Sequence, residues 1–154
     1  MGEEGKIGIK VGEEGKTRVK MDKEEISGLM GKGYMNLVVW KNACELRRII
    51  YEITKNFPSV EFRRVSQMRD SARSIKQNIQ EGYKRRSIGE YIQHLSIAQG
   101  SLGELSGDVD DCFEDKLISN QVYKMIDNLI RRTDYLFMRL IQSLDKKRKK
   151  VSDV

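Results

Sequence analysis

The residues best placed for chemistry in this sequence are cationic. Arg69, Arg73 and Lys76 recur at steps of four and three, so on a helix they share one stripe, continued by Gln80 and Tyr83. From Arg69 to Lys76 the stripe runs about 10 Å at 1.5 Å per residue, a reach comparable with successive phosphates on one nucleic-acid strand. Lys84, Arg85 and Arg86 carry it into a turn, where Tyr83 offers a ring on which a base can stack. Residues 63–86 hold eight basic groups against two acidic ones, and Lys146 to Lys150 add a second basic run. This pattern predicts phosphate binding at Arg69, Arg73, Lys76, Tyr83, Lys84, Arg85 and Arg86, without sequence-specific readout and without preference between RNA and DNA. A solvated basic face that pairs with acidic groups elsewhere on the chain is the competing reading.

Catalytic chemistry lacks its parts. His94 is the only histidine, so one chain cannot assemble a Ser-His-Asp triad or a two-histidine zinc helix, and no phosphate-binding Gly loop of the Walker type occurs. His94 reads as an exposed helical histidine. Glu81 and Glu104 resemble an acid pair only superficially; capping or bridging of helices is the expectation for both. No catalytic residue, metal site or cofactor is expected.

The elements that must hold the basic stripe are legible from apolar spacing. Val39, Ala43, Leu46, Ile50, Ile53 and Phe57 form the seam of a first helix that Phe57-Pro58 should end, because the residue before Pro is pushed out of the helical region. Val65, Met68, Ala72, Ile75, Ile79 and Gly82 form a second, with Gly82 expected as a left-handed cap. Ser87 and Glu90 have capping-box spacing and open a third, along which Tyr91, Leu95, Ala98, Leu102, Leu105, Val109 and Cys112 share one seam. Ser119 can cap a fourth, with Val122, Ile126, Leu129, Thr133, Leu136 and Leu140 facing inward. Short connections between four amphipathic helices predict an all-α fold, an antiparallel up-down four-helix bundle.

Two features exceed what a lone bundle needs. Ser96, Gly100, Gly103 and Gly107 step along the third helix about 200° away from the seam, and each interior Gly costs roughly 1 kcal/mol relative to Ala. Ile130, Phe137, Ile141 and Leu144 give the fourth helix a second apolar stripe. Together Gly100, Gly103, Gly107, Ile130, Phe137 and Ile141 are the expected oligomer interface, with an exposed, weak third helix as the alternative for the glycines.

The 154 residues divide into three parts. Residues 1–35 hold eight of the thirteen glycines and a repeat, Glu3-Glu4-Gly5-Lys6 returning as Glu13-Glu14-Gly15-Lys16, and read as a flexible charged extension; a hairpin pairing Lys6 to Val11 with Lys16 to Met21 is the alternative. Residues 36–145 are the bundle, and 146–154 a basic tail. Of the net charge of +6, the bundle carries seventeen basic and fifteen acidic groups and the tail five and one. Glu104, Asp108, Asp110, Asp111, Glu114 and Asp115 make an acidic end to the third helix. Cys44 and Cys112 sit within helical periodicities and read as buried free thiols of a reducing compartment. With no apolar leader and no run of about 18 apolar residues, a cytoplasmic protein without membrane contact is expected.

The run Ser74-Ile75-Lys76-Gln77-Asn78-Ile79-Gln80-Glu81-Gly82, then Arg86-Ser87, Glu90 and Ile97-Ala98-Gln99-Gly100-Ser101-Leu102-Gly103-Glu104-Leu105, resembles the four-helix-bundle proteins encoded in 23S rRNA intervening sequences. Leu37-Val38-Val39-Trp40 and Phe57-Pro58 fit the same family, so the resemblance spans roughly Asn36 to Leu144. It implies a bacterial, non-enzymatic homo-oligomer, a pentamer, that binds nucleic acid. A relative of similar fold, the accessory protein of diversity-generating retroelements, adds a reverse transcriptase and its RNA to the implied partners. Lys76 and Gln77 depart from the family, which often has a small residue or Pro there, and make this helix more basic. A protein-binding scaffold with no nucleic-acid role remains the alternative.

Overall fold

Each helix of the bundle is set by an apolar stripe that needs a partner, and the four stripes meet in one core. A computed structural model describes residues 33–152. The expected N-terminal extension, apart from Gly33 to Met35, and the hairpin alternative lie outside the described residues. The helices are α1 (Val38–Thr54), α2 (Phe62–Tyr83), α3 (Ile88–Glu114) and α4 (Asn120–Ser152), with 3-10 turns at Gly33–Asn36 and Ser59–Glu61. No strand occurs among the described residues. Consecutive helices pack against one another and α4 closes onto α1, while among the described residues the backbones of the diagonal pairs stay farther apart. Cross-helix bonds fix the antiparallel sense: Arg64 meets Asp115 (2.7 Å), Ser74 meets Ser101 (2.9 Å) and Asn78 meets His94 (3.2 Å) between α2 and α3, and Gln99 meets Asp134 (3.0 Å) between α3 and α4.

The predicted seams are the core. Leu46, Ile50, Met68, Ile75, Ile79, Leu95, Leu102, Leu105, Ile126 and Leu129 are all buried. The caps of the later helices also form as expected: the Glu90 N–H donates to Ser87 Oγ at 3.1 Å and the Val122 N–H to Ser119 Oγ at 3.2 Å. Each such cap contributes about 1 kcal/mol.

Several expectations are corrected. Ile130 (5 % exposed) and Phe137 (0 %) belong to the core of the single chain and offer no surface to a second one. Both α1 and α3 pack on α4, so its buried face is wide enough to absorb the second stripe; Ile141 is half-buried beside it. α1 ends at Thr54, three residues before Phe57, where Thr54 Oγ1 donates to the Ile50 carbonyl at 2.7 Å. Gly82 is not a left-handed cap. It lies inside α2, and a Cβ there would stand 2.7 Å from His94 Cβ and 2.9 Å from Tyr91 Cδ2, so this glycine serves the close approach of α2 and α3. The left-handed residue is Lys116 (φ 61°), at the end of α3. There Leu117 N–H donates to the Cys112 carbonyl (2.9 Å) and Lys116 N–H to that of Phe113 (3.1 Å), the Schellman arrangement with Lys in the place glycine usually takes. Tyr34 is buried against Trp40, ring centroids 5.6 Å apart, so the folded unit begins before the boundary expected at residue 36.

Candidate nucleic-acid interface

The antiparallel topology brings together two basic runs that lie sixty residues apart in sequence. Lys84, Arg85 and Arg86 follow α2, and Lys146 to Lys150 form the last turns of α4, helical to Ser152. Both stand at the end of the bundle where α3 begins. The Arg148 guanidinium comes within 3.9 Å of where a Cβ would stand on Gly89, in the first turn of α3. All of Lys84, Arg85, Arg86 and Lys146 to Lys150 are exposed. Asp145 pairs with Arg148 and Lys149, and Glu81 with Arg85 (3.4 Å), leaving the cations in large excess. Lys149, first, and Arg148 hold the Asp145 carboxyl below its ordinary pKa.

Aromatic rings floor this pole. Tyr83 meets Tyr34 and Tyr91 edge-on, both at 6.1 Å, and keeps 43 % of its surface exposed. Lys84 Nζ lies 5.8 Å from the Tyr34 ring centre. Burial, with Tyr83 adding to it, pushes the Tyr91 hydroxyl up to about 12, so it stays a neutral donor at physiological pH. The Tyr83 hydroxyl abuts Gly33, where any Cβ would collide.

The helical stripe behaves differently. Arg69 lies over the Tyr51 ring at 4.2 Å and donates to Thr54 Oγ1 at 3.0 Å, while Lys76 Nζ sits 5.7 Å from the Trp40 ring centre. Arg73 between them is exposed, 3.5 Å from Asp70. The three do share one side of α2, the side facing α1, but two of the three side chains are laid down on aromatic rings. Arg47 and Arg48 of α1 join this surface, both exposed and both close enough to Cys44 to act on its thiol beside Lys76; burial nevertheless pushes that thiol up. Adjacent in sequence on α1, they form no stripe at steps of three and four.

Charge is also divided between helices. α3 carries Glu90, Glu104, Asp108, Asp110, Asp111 and Glu114 and no Lys or Arg, whereas α4 carries nine basic groups against three acidic. The acidic end of α3 lies about 40 Å from its N-terminus along 27 residues. Arg64 clamps that end, bonding Asp115 at 2.7 Å and Glu61 at 3.1 Å, and those carboxylates hold its guanidinium above even the usual arginine pKa. Burial, then Asp111 and Glu104, raise the Asp108 carboxyl against the pull of Arg64.

Gly100, Gly103 and Gly107 are exposed, with no atom within 4 Å of a would-be Cβ. Beside them a groove of about 530 Å³ runs between α2 and α3, lined in part by Arg63, Ser66, Ser71, Ser74, Ser101 and Glu104. Glu104 accepts from Ser71 (3.4 Å), a bridge between helices. Glu81 is engaged with Arg85 and lies on a different helix from Glu104. His94 is half-buried, contrary to expectation, with Nδ1 3.2 Å from Asn78 Oδ1. Among the described residues no group of three His, Cys, Asp or Glu side chains is placed to hold a metal ion, and no helix is long and apolar enough to cross a membrane.

No protein of curated function matches the chain. A crystal structure of a protein of unknown function from the S23 ribosomal protein family, from Bacteroides thetaiotaomicron, is similar at 26 % identity and a TM-score of 0.62, covering 68 % of this chain and 98 % of that one. Residues 35–138 match the 23S rRNA-intervening sequence protein family. With two thirds of its length matched, from the start of α1 into the second half of α4, the chain belongs to the 23S rRNA-intervening sequence protein family.

Proposed function

We propose that the protein is a non-enzymatic, homo-oligomeric nucleic-acid-binding protein that holds phosphate backbones at the basic pole, with structured RNA as its first ligand. The observation that carries this is the placement of Lys84, Arg85 and Arg86 at the same end of the bundle as Lys146 to Lys150, where Arg148 reaches the first turn of α3 and Tyr83 is partly exposed. Such a surface neutralises phosphates without reading bases, and an aromatic ring beside it can take an unpaired base. The family's link to 23S rRNA favours RNA. The bare glycine face of α3 and the adjoining groove supply the surface for self-association, in the five-membered ring that the resemblance implies.

A second reading has its own support. α3, acidic along its second half and bare at its glycines, suits a basic protein surface, and a scaffold would need only that. Titrating labelled RNAs and DNAs of unrelated sequence at rising salt separates the two. The nucleic-acid reading expects binding of similar strength for all sequences, with log affinity falling linearly in log salt. No binding at low salt would leave the scaffold.

A further inference from the structure

Resting on that reading, we infer that the outer face of α4 is a track for unpaired nucleic-acid strand, leading away from the basic pole. Lys124, Arg131, Tyr135, Arg139, Lys146 and Lys149 recur at steps of seven, four, four, seven and three, so they follow one ridge, and all six are exposed. The acidic residues of α4 line the edge of this ridge that faces α3, where Asp127 pairs with Arg131 at 2.9 Å and Asp145 with Lys149 at 3.3 Å. Asp134 accepts from Gln99 of α3, and Asp127 and Asp145, seven residues before and eleven after it, return to that same side at 100° per residue. The ridge thus carries five cations over about 37 Å, of which Arg131 and Lys149 are paired with carboxylates at its edge. Arg131 is 77 % exposed although its Nε reaches Asp127 at 2.9 Å. Among the described residues no helix covers this face, since α1 and α3 occupy the flanks of α4 and the core lies behind it.

Charge complementarity makes the occupant a polyanion, and Tyr135 selects its form. This ring is 54 % exposed midway between Arg131 and Arg139. In a duplex the bases are stacked on one another and the ridge is too shallow to reach them; in an unpaired strand each base has a face to lay on the ring. Phosphates on Arg131 and Arg139 would flank a base on Tyr135. The chemistry is common to ribose and deoxyribose strands.

The test measures binding of the full-length protein to a labelled oligouridylate, a labelled oligothymidylate and a blunt-ended duplex. Arg131→Gln with Arg139→Gln should lower the salt slope for both single strands by about 1.4, roughly 0.7 for each phosphate no longer neutralised. Tyr135→Leu should weaken single-strand binding roughly five- to hundred-fold, the loss of one base stack, and leave duplex binding unchanged. A triple variant at the pole, Lys84→Gln, Arg85→Gln and Arg86→Gln, reports on the function itself. If the pole variant loses affinity while the α4 variants bind as the unmodified protein does, the track is overturned and the nucleic-acid reading stands. If the unmodified protein binds no nucleic acid, both fall. Equal losses on duplex and single strand for Tyr135→Leu, or a loss on only one kind of sugar, overturn the unpaired-strand assignment. Dispersal of the oligomer by Arg131→Gln and Arg139→Gln, seen by light scattering, would overturn the track as well and mean that the acidic α3 of a second copy covers the ridge instead.

Discussion

Replacing Gly100, Gly103 and Gly107 together by Ala should push stability and assembly in opposite directions. No atom lies within 4 Å of any of the three new methyl groups in the single chain, so each substitution removes only backbone freedom from the unfolded state and gains about 1 kcal/mol of helix propensity. The triple variant should therefore be about 3 kcal/mol more stable as an isolated chain, a rise in Tm on the order of 10 °C. In the proposed oligomer the same methyls stand where a neighbour's surface must approach, and association should weaken. Gly82→Ala is the control that should bring no gain. Its methyl would meet His94 Cβ at 2.7 Å, Tyr91 Cδ2 at 2.9 Å and the Tyr91 carbonyl at 3.3 Å, partly backbone that cannot swing aside. Overpacking of this kind costs about 1–3 kcal/mol and outweighs or cancels the propensity gain. Urea denaturation of dilute protein reads the first effect and light scattering of concentrated protein the second. A triple variant that is no more stable when dilute would refute the open-face geometry. One that assembles as tightly as the unmodified protein would refute the glycine interface.

Other substitutions probe single features of the fold. Lys116→Gly should stabilise by about 1 kcal/mol in thermal unfolding, because the left-handed φ of 61° is strained for Lys and free for Gly. Tyr34→Ala should cost about 3 kcal/mol in urea denaturation, since the buried ring packs on Trp40 and Tyr83. Burial raises the Glu45 carboxyl above its ordinary pKa despite the opposing Arg132 and Arg48. A raised carboxylate binds its proton better when folded, so the charged form costs stability that is fully felt above the folded pKa and vanishes below the unfolded one. Glu45→Gln should accordingly gain stability over the unmodified protein as pH rises from about 4 towards 7, measured as the difference in Tm; a constant difference across that range would contradict the burial argument.

Much of the bundle was legible because its rules are local. Steps of three and four along Leu95 to Cys112, and Ser87 three residues before Glu90, needed no knowledge of neighbours. Where neighbours decide, the sequence was ambiguous. Gly82 suits both a left-handed cap and a close helix crossing, and only the approach of Tyr91 and His94 selects the second. Lys116 gave no signal at all, since its left-handed turn lacks the usual glycine. Ile130 and Phe137 looked like surplus because the width of a buried face depends on how many helices flank it. The basic turn and the basic end of α4 were each visible, but their meeting is a property of topology. Arg69 and Lys76 shared the predicted side of α2, while Tyr51 and Trp40, supplied by α1, determine where their charges rest.

The central claim, that the pole holds phosphates, is tested most directly by the salt dependence of RNA binding. The slope of log affinity against log salt is compared between the unmodified protein and the variant with Lys84, Arg85 and Arg86 replaced by Gln. Each phosphate that the variant no longer neutralises should lower the slope by about 0.7 to 0.9, so the variant should lose roughly 2 to 3 overall, alike for unrelated sequences. A folded, assembled variant with the unmodified affinity and slope would show that the pole is a solvated basic surface and not the binding site.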